Sequence, residues 1–233
     1  KESSYKFGLN HMSDWTQSEL DQIKEPGLGS HLTEIGSDST ISISSPSEFD
    51  WRKHPKRVTS VKDQGKYSTS WAFATTGCLE GRIVDVFPNM NVTSLSSQLL
   101  IDCDELADTG DSDITYGLYR VATLGGLPPE ETRPYKGIRN LCIYNEKVFF
   151  ISDSNPGYGY YYSGENKMAD LLVKEGPIPI TVATNNWNLY ESGVFDDESC
   201  TKESLKTSSH SALLVGYGTD PDHGSYWIVV SWN

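Results

Sequence analysis

The sequence predicts an α+β fold, with its helices early and its strands late. Three observations predict it. Apolar residues at Trp71, Ala74, Cys78, Leu79, Ile83 and Val86 are spaced for one long buried helix over Ser70–Val86. Two further helical runs end on glycine signals, Ile114–Leu124 at Gly125-Gly126 and Asn166–Glu175 at Gly176-Pro177. After them, Ile178–Ala183, Ser211–Tyr217 and Ser225–Val230 read as strands.

The smaller elements follow in chain order. Lys6–Asn10 is a short strand candidate. Thr16 can cap a helix over Gln17–Ile23, with Glu19 in the reciprocal capping position. Residues 24–47 are rich in Ser, Gly and Pro without periodicity and read as an extended linker. Ser94 or Ser96 caps a short helix running through Ile101. The Tyr/Gly bias of Gly157–Gly164 reads as an exposed loop and strand.

Composition narrows the function classes. The 233 residues suffice for one large or two small domains with a sizeable core. A net charge of −13 argues against a nucleic-acid partner. No apolar run approaches the ~20 residues of a membrane span. The chain opens on Lys1 without a leader, and we expect that an N-terminal part is missing. Five scattered histidines and four scattered cysteines give no metal-ligand spacing, and no phosphate-binding glycine loop is present, so neither metal nor cofactor is expected.

Residues 61–73 read V-K-D-Q-G-K-Y-S-T-S-W-A-F. The run resembles the active-site segment of papain-family cysteine peptidases, V-K-D-Q-G-x-C-G-S-C-W-A-F. Gln64, Gly65, Trp71, Ala72 and Phe73 match, while the nucleophilic cysteine falls on Ser70, the first motif cysteine on Tyr67 and the glycine on Ser68. The likeness continues in order through Asp50-Trp51-Arg52, Leu95-Ser96-Ser97-Gln98, Asp102-Cys103, Gly125-Gly126-Leu127 with Pro134-Tyr135, His210 with Val215-Gly216-Tyr217-Gly218, and Tyr226-Trp227-Ile228-Val229. The chain is thus identified as similar to the cathepsin L-like members of that family. The resemblance implies a papain-like two-domain fold, with a helical half, a β-barrel half and a cleft between. It also implies that the barrel is truncated at the C-terminus. Phe7-Gly8-Leu9-Asn10 through Asp14 resembles the tail of the family's inhibitory propeptide. On that reading residues 1–45 are a propeptide remnant and linker lying along the cleft, and residues 46–233 are the peptidase domain.

The resemblance also assigns chemistry. In this family a cysteine and a histidine form a thiolate–imidazolium pair, which a thiol allows because its pKa falls to ~3–4 beside histidine. An alcohol needs a general base during attack. The catalytic positions become Ser70, His210 and Gln64, the oxyanion donor, with Ser231 at the asparagine position if Tyr226–Asn233 is aligned without a gap. With one deletion, Ser231-Trp232 match S-W and the asparagine is absent; in both registers the orienting amide is missing. Substrate-binding positions fall on Trp71, Asp111 and Ser112, the last two replacing family glycines. Cys103 and Cys142 match a family bridge, whereas both halves of another, at Tyr67 and Thr109, are gone together. Cys78 reads as a buried free thiol and Asn91 heads a glycosylation sequon, Asn91-Val92-Thr93. Disulfide use implies an oxidising compartment, secreted or lysosomal.

The reading is a papain-like homologue, catalytically impaired, acting as a monomer that binds a peptide, a protein inhibitor or its own propeptide. The alternative is an active hydrolase using Ser70 as nucleophile and His210 as base.

Overall fold

The computed structural model describes residues 4–24, 45–89, 94–106, 112–143, 165–184, 186–201, 204–205 and 209–232. Its elements are β1 (Tyr5–Phe7), α1 (Gln17–Gln22), β2 (Phe49–Asp50), α2 (Ser70–Val86), α3 (Ser97–Asp102), α4 (Ile114–Leu124), α5 (Glu165–Glu175), β3 (Ile178–Ala183), β4 (Tyr190–Gly193), β5 (Ser209–Asp220) and β6 (Gly224–Val230). Short 3-10 turns follow β2 and precede β4. The expected α+β fold is present: helices dominate the first half and an antiparallel sheet the second.

Local chemistry sets the helix ends. At α1, Thr16 Oγ1 accepts the Glu19 N–H at 3.3 Å and the Glu19 carboxylate accepts the Thr16 N–H at 2.9 Å, so the expected capping box forms. Ser96, not Ser94, caps α3 by accepting the Leu99 N–H at 3.2 Å. Asp113 caps α4 in the same way through Tyr116 N at 2.7 Å. Helix α4 stops at Gly125, whose φ of 77° is the left-handed geometry that glycine adopts most readily. The first strand is Tyr5–Phe7 rather than Lys6–Asn10, because Asn10 Oδ1 accepts the Met12 N–H and turns the chain away.

Helix α2 is buried on nearly all sides. Trp71, Ala72, Leu79 and Ile83 pack with Leu95, Leu99, Leu100, Val121 and Leu127 in the helical half. Phe73, Ala74 and Cys78 pack with Trp51, Leu172, Leu213, Leu214, Val215 and Trp232 against the sheet. The one charge in this wall is Glu80, 1% exposed, which pairs with Lys62 and accepts from Thr59 and from Leu95 N at 2.7 Å. Cys78 is a buried free thiol, raised by burial to about 11.

Strand β5 organises the sheet. Its start pairs with β3, with His210 opposite Val182, and its later residues pair with β6. Phe49-Asp50 of β2 pairs with Tyr217 and Gly216 on the edge away from β6. Among the described residues this is an open four-stranded sheet. The short edge strands β2 and β4 escaped sequence reading: β2 has two residues, and every residue of β4 is exposed. β5 runs past the expected Ser211–Tyr217 at both ends, and its upstream end takes in His210.

Cys103 and Cys142 form the expected disulfide, with Cα atoms 4.7 Å apart. Thr109 lies outside the described residues, so its expected proximity to Tyr67 is not described. The Tyr67 ring instead lies against Gly137, where an added Cβ would stand 2.1 Å from the ring.

Close backbone approach at Gly216 generates a stability prediction. An added Cβ would meet Phe49 O at 2.4 Å and Asp50 Cα at 3.0 Å, both backbone atoms that can yield only by parting β2 from β5. Gly216→Ala is expected to lower unfolding free energy by about 1–3 kcal/mol in urea titration.

Candidate active site

Three elements meet at one hydrogen-bonded group. Ser70 opens α2, His210 lies near the start of β5, and Ser231 follows the end of β6. Ser70 is fully buried, and its Oγ accepts the Ser211 N–H at 3.1 Å. That bond ties the nucleophile position to the residue after His210. His210 is 2% exposed, and its Nε2 lies 3.0 Å from Ser231 Oγ. The contact matches the ungapped register, in which Ser231 takes the asparagine position. A β5–β6 hairpin with a register shift between Leu214 and Gly216 brings the two residues together.

Burial, with no charged partner among the described residues, lowers the His210 pKa from 6.5 to about 4, so the imidazole is neutral near pH 7. One ring nitrogen then donates and the other accepts. An amide oxygen at the Ser231 position could only accept and would fix the tautomer. A serine hydroxyl can rotate to donate or accept, so it holds the ring in place without specifying which nitrogen carries the proton.

Gln64 is fully buried, but its side-chain N–H is turned to the chain's own Tyr67 carbonyl, Nε2 to O 2.8 Å. Its Oε1 is buried without a hydrogen-bond partner among the described residues. The surrounding loop is held tightly. Gln64 N donates to Trp232 O at 2.8 Å, and Tyr135 Oη donates to Gln64 O at 2.8 Å. Tyr135 Oη also lies 2.7 Å from Thr69 Oγ1. Thr69 precedes α2 but makes no capping bond with its side chain. Burial raises the Tyr135 pKa to about 12. Neither Thr69 nor Tyr135 was singled out as a site residue from sequence; the available signal was Pro134-Tyr135 within the family motif.

The substrate-binding positions fare differently. Trp71 is 3% exposed and lies edge-on to Tyr116, with centroids 6.1 Å apart, so it belongs to the helical core rather than to a substrate surface. Ser112 is 8% exposed and donates its hydroxyl to Asp104 Oδ2 at 2.6 Å. Asp111 and Asn91 lie outside the described residues.

The N-terminal segment reaches this loop. Lys66 pairs with Glu19 of α1 and places Nζ 4.9 Å from the Trp15 ring centroid. Hydrogen bonds to Lys66 and Thr16 hold the Glu19 carboxylate down at about 2. Ser68 Oγ donates to Lys24 O at 2.8 Å, two residues before Ser70. Downstream, the Tyr217 hydroxyl donates to Pro46 O at 2.8 Å. Most of the expected linker, 25–44, lies outside the described residues. Among the described residues, no helix is long and apolar enough to cross a membrane.

The ordered motifs and the two-part packing agree with the comparisons. Residues 45–233 match the papain family cysteine protease family, and the chain belongs to it. A cathepsin L-like protein of Caenorhabditis elegans is 35% identical, covering 97% of this chain and 68% of the relative. Cathepsin S of Rattus norvegicus is 31% identical, with the same coverage of both. Among solved structures, digestive procathepsin L 3 of Tenebrio molitor larval midgut aligns over 100% of this chain and 74% of its own. Its TM-score is 0.79 and its identity 26%.

The buried histidine sets a pH dependence. Between about pH 6.5 and 4 the unfolded chain binds a proton at His210 that the folded chain refuses. This contribution is fully present above pH 6.5 and is lost progressively as pH falls toward 4, up to about 3 kcal/mol. Thermal unfolding from pH 7 to 4 is expected to show a steep acid limb in wild type and a shallower one in His210→Gln. Equal slopes would show that His210 does not carry the effect.

Proposed function

We propose that this chain is a papain-family homologue with impaired peptidase chemistry, acting by binding peptides or protein inhibitors in the cleft that the family fold implies. The observation that supports the proposal is a hydroxyl, Ser70, bound to the residue after a neutral His210 whose own contact is another hydroxyl. A serine alcohol does not form the stable ion pair that a cysteine forms with histidine. It needs a base of defined tautomer, and Ser231 does not define one. The Gln64 N–H is directed at Tyr67 O rather than offered to a developing oxyanion. Each change weakens a different part of the reaction.

The N-terminal contacts support reading residues 1–45 as a propeptide remnant. Glu19, Trp15 and Lys24 all engage the Gln64–Ser70 loop, where a segment blocking substrate would have to sit. The Cys103–Cys142 bridge supports maturation in an oxidising compartment, secreted or lysosomal, with Asn91 a candidate glycan acceptor.

The second reading, a hydrolase with Ser70 as nucleophile, is favoured by one observation. His210 is neutral, the state a general base requires. The test separates the two. With the N-terminal segment removed, the protein is expected to bind peptides without measurable turnover. Wild-type turnover abolished by Ser70→Ala would establish the hydrolase instead.

A rescue series sharpens the point. Ser70→Cys alone is expected to leave kcat/KM on dipeptidyl substrates at least about 10²-fold below an ordinary family enzyme. Adding Ser231→Asn, which fixes the tautomer, is expected to raise it about tenfold or more over Ser70→Cys. Full activity from Ser70→Cys alone would show that the nucleophile was the only lesion.

A further inference from the structure

The segment 132–143 forms a rigid platform on the outer side of α3. Asp102 Oδ1 accepts from Gln98 Nε2 at 2.7 Å and from Asn140 N at 2.8 Å. Gln98 Oε1 accepts the Lys136 N–H at 2.7 Å, and Gln98 Nε2 donates to Ile138 O at 2.8 Å. The Cys103–Cys142 disulfide closes the same attachment covalently. Backbone held at so many points is already ordered before any ligand arrives, which lowers the entropic cost of binding.

What this platform presents is a mixed apolar and basic surface. It borders an open depression of about 710 Å³ with Gln98, Asp102 and Arg133 among its lining residues. Ile138, Leu141 and Ile143 are 55%, 78% and 54% exposed, a concentration of large apolar side chains in six residues. Lys136 and Arg139 are exposed beside them and have no ion-pair partner among the described residues. Arg133 lies 3.5 Å from Asp102 and donates to Ile143 O at 2.6 Å. Three cations against one lining carboxylate make a local positive excess on a chain whose net charge is −13. Ser70, His210 and Gln64 do not line the depression, so it is separate from the candidate active site.

We propose that this platform is a docking site for an acidic polypeptide segment that carries an apolar side chain. Lys136 and Arg139 meet the carboxylates, and Leu141 with its isoleucine neighbours receives the apolar residue. The charge complementarity selects the acidic partner, and the apolar ridge separates a polypeptide from a purely ionic polymer. The site works irrespective of whether the active site turns over.

The test uses the full chain and three fluorescein-labelled peptides of equal length: alternating Glu/Leu, alternating Glu/Ser and alternating Lys/Leu. Fluorescence anisotropy is expected to rank Glu/Leu tightest, with binding weakened by added salt. Lys136→Glu/Arg139→Glu is expected to weaken Glu/Leu binding about tenfold or more. Lys136→Gln/Arg139→Gln is expected to do so by less, and Leu141→Ser is expected to remove the preference of Glu/Leu over Glu/Ser. These side chains are exposed, so unchanged thermal unfolding serves as the folding control. Equal binding of Glu/Leu and Lys/Leu, or binding indifferent to both double variants, would overturn the proposal. So would a sulfated polysaccharide that competes as well against the Leu141→Ser variant as against wild type, because the surface would then be ionic alone.

Discussion

The burial of α2 on nearly every side is the constraint on which the rest of the structure depends. One helix supplies a wall to both hydrophobic clusters, so the helical half and the sheet cannot shift independently without opening a cavity along it. Ser70 stands at its first residue and inherits that rigidity. Glu80 adds a polar pin within the wall. A buried carboxylate is tolerated only with partners, and it gathers Lys62, Thr59 and the Leu95 backbone around one point of the helix. The site is therefore precise in position, whatever its chemistry.

Position and reactivity separate here. The group joins an imidazole to one hydroxyl directly, at Ser231, and stands one residue from the amide that binds a second, at Ser70. A hydroxyl donates and accepts, so it preserves packing and hydrogen bonding while giving up directionality. The imidazole responds to burial, with no charge among the described residues bringing its pKa back up. The network Thr69–Tyr135–Gln64 shows the complementary case: strong geometry used to hold a backbone carbonyl in place.

Much of this was legible in the sequence. The spacing of apolar residues located α2, Gly125-Gly126 and Gly176-Pro177 located the ends of α4 and α5, and Thr16 with Glu19 located α1. Ser70, His210 and Ser231 could be named from motif order, but the contact between His210 and Ser231 spans 21 residues and is visible only in the folded chain. The motif places Trp71 among the substrate-binding positions and the fold buries it at 3% exposure, since a motif records which residue is present and not how far it is covered. The two residues of β2 and the four exposed residues of β4 carry too little periodicity to be seen.

The hydrogen bond from Ser211 N to Ser70 Oγ turns the nucleophile position into a rivet between a helix and a strand. A residue in that role answers to the melting curve rather than to the rate of any reaction. Substitutions at Ser70 would then be filtered first by whether they seal the junction of the two halves. Alanine leaves a strand amide to find another acceptor, and a larger side chain has no room beside a fully buried neighbour. The position can stay narrowly restricted to small hydrogen-bonding side chains in a lineage that has no use for the reaction.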